Sequence, residues 1–124
     1  MKISMVTFLM VILGISAAIA ATYKNIDSTQ GKALLEKGEV FLLDVRTAGE
    51  YQQGHLKGAV LIPIGELKKR FQEVPRNKPV LIYCAVGARS GSAATFLADK
   101  GYGNIYNMQD GIAGWDRNGY PILR

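Results

Sequence analysis

A single cysteine, Cys84, serves a chain of 124 residues. Without a second thiol no internal disulfide can form, so stability must come from the apolar core alone. Histidine also occurs once, as His55. One cysteine and one histidine far apart in sequence are poor material for a metal site, and neither a metal nor a cofactor is expected. Lysine and arginine outnumber the acids 15 to 10, yet no block of like charge is present. The net charge of +5 therefore reads as a solvated, mildly basic surface and not as a nucleic-acid footprint. No repeat or low-complexity segment is visible, and the length suits one domain with a real core.

The one long uncharged run lies at the N-terminus, "MKISMVTFLMVILGISAAIAATYK", where Lys2 precedes apolar residues ending in the small triplet Ala18-Ile19-Ala20. A basic start, an apolar middle and an A-x-A end describe a secretory signal peptide. Residues 1–20 are expected to be removed after Ala20, leaving residues 21–124 as an exported, periplasmic domain. Retained, a run of about 20 residues would instead anchor the domain to the membrane, facing the periplasm. Gly14, Ser16 and several alanines weaken its second half and favour cleavage. With no cysteine nearby, a lipid on a processed N-terminal Cys is excluded.

Beyond this segment, short apolar runs alternate with amphipathic stretches. Val40–Val45, Ala59–Pro63 and Pro79–Cys84 are continuous and rich in β-branched or aromatic residues, as strands buried on both faces require. Asn104–Met108 is a weaker strand and Thr22–Ile26 a further candidate. Asp27 or Ser28 can cap a helix through Leu34 and Leu35 that stops near Gly38. Ile64, Leu67, Phe71 and Val74 share one helical face. Ser90–Lys100 reads as an Ala-rich helix closed by Gly101. Strands alternating with helices indicate α/β architecture around a mostly parallel sheet. Such sheets bind ligands beyond the carboxyl ends of their strands, which is where Cys84 falls.

The stretch after it, "YCAVGARSGS", is nearly bare of side chains. Gly87 permits the positive φ of a tightly curled loop. If that loop wraps round the sulfur, its N–H groups converge in an anion-binding nest, and the following helix adds the partial positive charge of its N-terminus. With Arg89 at the edge, these effects favour thiolate and should lower the thiol pKa below about 8.5. A thiolate held by donors that also stabilise a negatively charged adduct is a device for covalent catalysis. A cysteine that merely closed a strand would need neither the small-residue loop nor the arginine.

These residues resemble the rhodanese-like sulfurtransferase family. "LLDVRTAGEYQQGHLKGAVLIP" (Leu42–Pro63) is similar to its Asp-Val-Arg…Glu-Tyr…Gly-His…Gly-Ala…Ile-Pro region, and "YCAVGARS" to its C-x-x-G-x-R-S active-site loop. "DGIAGWDRNGYPI" (Asp110–Ile122) resembles its closing Gly-Gly…Trp…Gly-Tyr-Pro region, with Asp110 where the first glycine is usual. Within the family, the chain looks like the exported single-domain type related to the phage-shock periplasmic rhodanese. The resemblance implies one domain with a five-stranded parallel sheet flanked by helices on both faces. It implies that Cys84 takes a sulfane sulfur from a small donor such as thiosulfate and passes it, as a persulfide, to a thiophile such as cyanide or a thiol. The loop Ala85, Val86, Gly87, Ala88, Arg89 and Ser90 would hold the persulfide, with Asp44 and Arg46 in support. On charge grounds Arg89 is expected to meet an anionic donor, with a turn outward to an acid such as Glu50 as the alternative. Arg46 and Glu50, spaced i and i+4, are expected to pin the short helix that follows. His55 is expected in a structural turn, and Trp115 and Tyr120 in the packing of the C-terminal segment.

Two alternatives use the same residues. Cysteine phosphatases of related fold place five residues between Cys and Arg, enough for a ring around a tetrahedral phosphate. Here four intervene, Ala85, Val86, Gly87 and Ala88, which suits a single sulfur atom. The domain could also be a sulfur carrier that hands its persulfide to another exported protein without turning over by itself.

Overall fold

The computed structural model describes residues 22–124, so the expected signal peptide lies outside the described residues. The chain runs β1 (Lys24–Ile26), α1 (Ser28–Glu36), β2 (Phe41–Asp44), α2 (Ala48–Gln53), β3 (Val60–Leu61), α3 (Ile64–Arg70), a 3₁₀ turn (Phe71–Glu73), β4 (Val80–Tyr83), α4 (Ala88–Asp99), β5 (Ile105–Met108) and α5 (Gly111–Arg117). The five strands form one sheet in the order β1-β5-β4-β2-β3, and every neighbouring pair is parallel.

The continuous apolar runs of β2 and β4 follow from burial on both faces. Leu43, Ile82 and Cys84 join the core beneath α3 and α4, with Ala93, Ala94 and Leu97. Their chain neighbours Leu42, Leu81 and Tyr83 point the opposite way, into a second core with Met108 and Trp115. Strand alternation thus sends the Cys84 side chain toward α4, the helix that follows it.

Two helix starts are secured by capping boxes. Asp27 accepts from the Gln30 amide while the Gln30 side chain accepts from the Asp27 amide; Thr47 and Glu50 repeat the arrangement at α2. The sequence "TAGE" carries that S/T-x-x-E signal. α4 begins at Ala88, two residues before the expected Ser90, because Gly87 at φ 98° reverses the chain abruptly and lets the helix start at once. α5 carries no clear helix signal in the sequence: it is short and has two glycines in "GIAGWDR", a poor helix former by propensity.

After β2 the chain proceeds to β3 on one side; after β4 it proceeds to β5 on the other. The carboxyl ends of β2 and β4 therefore flank a topological switch point, where open parallel sheets leave a crevice.

Candidate active site

Cys84 directly follows β4, the central strand, and is only 1% exposed. The amides of Gly87 and Ser90 donate to Sγ at 3.2 and 3.3 Å, and the Ser90 hydroxyl lies 3.3 Å away. Helices leave their first-turn N–H groups without intrahelical partners, and Gly87 at the N-cap has no side chain to satisfy one. Sγ fills that role: the sulfur caps α4. Burial pushes the thiol pKa up, but the Ser90 hydroxyl and the amides of Ser90, Gly87 and Val86 outweigh it, and the net shift is downward.

Backbone contacts fix the loop from behind. Ile112 donates to the Cys84 carbonyl at 2.9 Å and Ala113 to the Ala85 carbonyl at 3.1 Å, so α5 clamps the base of the loop. Asn107, buried at the end of β5, reaches the Gly87 carbonyl at 3.5 Å. A Cβ on Gly87 would run into the Gln109 carbonyl, and one on Gly111 into the Ala85 carbonyl. Gly111, at φ 63°, is the glycine this crossing requires. Asp110 has φ −92° and needs no glycine; its carboxylate accepts from the Ser28 hydroxyl at 2.6 Å, tying α5 to α1.

Asp44 and Arg46 stand at the end of β2, 0% and 5% exposed. The Arg46 guanidinium donates to both Asp44 oxygens, with Nη2 to Oδ2 at 2.7 Å, and to the Gly54 carbonyl at 2.8 Å. It also reaches the Glu50 carbonyl at 3.5 Å. Arg46 therefore pins α2 through backbone carbonyls and not through the Glu50 carboxylate, which corrects the i, i+4 expectation.

The Glu50 carboxylate is taken by Arg89 instead, with Nη1 to Oε1 at 2.7 Å and Nη2 to Oε2 at 2.9 Å. Of the two arrangements open to Arg89, the turn to Glu50 is the one found, since a two-oxygen carboxylate matches the guanidinium fork. The Arg89 bond holds the Glu50 pKa down at about 2 against partial desolvation. Glu50 thus meets Arg89, the pairing the sequence offers as an alternative, and not Arg46; its capping-box position holds the carboxylate at the start of α2.

His55 stacks flat on Tyr51 at 3.7 Å, and its Nδ1 donates to the Tyr51 carbonyl at 3.0 Å. It is a structural residue of the turn and not the partner of Cys84. Trp115 packs edge-on to Tyr120 and donates to the Pro121 carbonyl at 2.8 Å, closing the C-terminal segment. Beside the loop lies a cleft of about 270 Å3 walled by Arg46, Glu50, Ala85, Ile112, Asp116 and Arg124, among others.

A thiol drawn toward thiolate at a switch point of a parallel sheet, in a cradle of amides too small for side chains, defines a class of α/β domain built around a cysteine nucleophile. Comparison with known proteins narrows the class. The Rhodanese-like domain family matches residues 27–118. A sulfurtransferase of Allochromatium vinosum is 38% identical over 100 residues, covering 80% of this chain and 94% of that protein. The thiosulfate sulfurtransferase GlpE of Pseudoalteromonas translucida is 30% identical over 94 residues, covering 76% and 90%. A rhodanese-related protein of Thermoplasma volcanium superposes with a TM-score of 0.73 at 29% identity, over 82% of this chain and 98% of that one. The chain belongs to the rhodanese-like family.

Proposed function

We propose that this protein is a sulfurtransferase in which Cys84 carries a sulfane sulfur between a small donor and a thiophilic acceptor. The observation that carries the reading is the pair of amides, from Gly87 and Ser90, already directed at Sγ. In the first half-reaction the Cys84 thiolate attacks the outer sulfur of a donor such as thiosulfate. The Sγ–S bond forms, the S–S bond of the donor breaks, and sulfite leaves with the electron pair. In the second, cyanide or a thiolate attacks the terminal sulfur of the persulfide, and the Cys84 thiolate is released. The loop Ala85–Ser90 accommodates the added sulfur, and its amides with the Ser90 hydroxyl stabilise the persulfide anion. Asp44 and Arg46 act at a distance, by fixing the Gly54 turn and α2 against the loop.

Two half-reactions through a covalent intermediate give parallel initial-rate lines when donor and acceptor are varied. Intersecting lines, or full activity in C84S, would falsify this mechanism. The N-terminal segment supports a periplasmic location, and comparing the N-terminus of the protein before and after export tests cleavage at Ala20. Activity on an aryl phosphate would favour the phosphatase alternative, against which the four-residue spacing from Cys84 to Arg89 argues. Persulfide that forms but turns over only with an added protein acceptor would favour the carrier.

A further inference from the structure

The loop rim carries one ionic side chain, Arg89, and its charge is spent on Glu50 in two hydrogen bonds. Arg46 is likewise held by Asp44, and Arg124 lies 4.0 Å from Asp116 across the neighbouring cleft. The approach to Cys84 is thus charge-balanced, although the chain as a whole carries +5. The two amides nearest the sulfur are already directed at Sγ. The outer face of the loop presents exposed Val86 and Ala88, which offer a sulfonate no side-chain donor. The cleft beside Ala85 adds the apolar walls of Ile112, Ala113 and Ile122.

Building on the sulfurtransferase reading, we propose that Glu50 is a specificity-determining residue. By neutralising Arg89 it disfavours dianionic thiosulfate and leaves the site selective for alkyl persulfides, donors that carry one negative charge at most. In that reaction the Cys84 thiolate attacks the terminal sulfur of R–S–S–H. The Sγ–S bond forms, the donor S–S bond breaks, and the alkyl thiolate leaves with the electron pair. The alkyl group lies along the apolar wall of the cleft. Glu50 achieves this without displacing Arg89, because the same carboxylate also accepts from the Thr47 amide and hydroxyl at the start of α2 and is fixed from both sides.

The test is the ratio of kcat/KM for thiosulfate to kcat/KM for 2-hydroxyethyl persulfide, measured on the same sample so that any loss of folded protein cancels. E50Q keeps an oxygen for Thr47 and for Arg89 but removes the negative charge. The ratio should rise about fourfold, the effect of one unpaired positive charge at about 5 Å on a dianion relative to a monoanion in water. R89Q, which leaves Glu50 bare, should lower the ratio by about the same factor, and E50Q/R89Q should return it to the wild-type value. Added salt should erase the E50Q gain. A ratio unchanged or lowered in E50Q overturns the proposal, as does a double variant that stays at the R89Q value, since Arg89 would then bind thiosulfate itself. Wild-type protein that takes sulfur from neither donor instead contradicts the sulfurtransferase reading beneath it.

Discussion

At Sγ of Cys84 burial and hydrogen bonding pull in opposite directions, and the hydrogen bonds prevail. Ser90 supplies both its amide and its hydroxyl, more than any other residue. A hydrogen bond to a charged group contributes about 1.5–3 kcal/mol, so S90A should raise the thiol pKa. Because the thiolate is the reactive form, the thiolate fraction and the rate of persulfide loading at neutral pH should both fall. Titration by thiolate ultraviolet absorbance measures this directly, and an S90A protein that titrates like wild type would show that the hydroxyl bears no part of the shift. The cradle of backbone amides around Cys84 is legible in the sequence, because small residues crowd after a lone thiol. What was not legible is that Sγ caps α4, since that depends on the helix starting at Ala88.

α2 is held between two ion pairs of different kinds. Asp44–Arg46 is buried, and removing one partner from such a pair leaves an uncompensated charge. D44N should therefore cost about 3–5 kcal/mol in denaturant unfolding; a loss below about 1 kcal/mol would mean that Arg46 finds another partner or reaches water. Glu50–Arg89 is about one-third exposed on each side. The Glu50 pKa is lowered from 4.5 to about 2 in the folded protein, so its contribution is complete above the unfolded value and lost as pH falls through about 2. The difference in melting temperature between wild type and E50Q should shrink across that window; a constant difference would assign the effect to packing. The sequence offers Glu50 two partners, Arg46 by i, i+4 spacing and Arg89 across the fold, and the structure selects Arg89 because i, i+4 spacing is only a local rule. A capped first turn aims N3 back at the cap, and from there toward α4, a direction set by tertiary packing.

Across the whole molecule, the central strands were the most legible part of the fold, because burial on both faces forces unbroken apolar runs such as Val80–Tyr83. Elements at the edges were harder to bound: β3 pairs over only two residues, and α5 is short and glycine-containing. Yet α5 and the end of β5 hold the loop from behind, so the site depends on contacts between segments distant in sequence. G87A tests that dependence. Its Cβ meets the Gln109 carbonyl and its φ of 98° is strained for alanine, and the variant should lose at least about 2 kcal/mol of stability. Wild-type stability in G87A would show that the loop is not clamped as described. The central claim, that this fold exists to carry sulfur on Cys84, is tested most directly by intact mass spectrometry of the purified protein after exposure to thiosulfate or 2-hydroxyethyl persulfide. The account predicts a gain of one sulfur atom, removed by cyanide and absent in C84S. A mass unchanged by both donors, or a gain that persists in C84S, would contradict it.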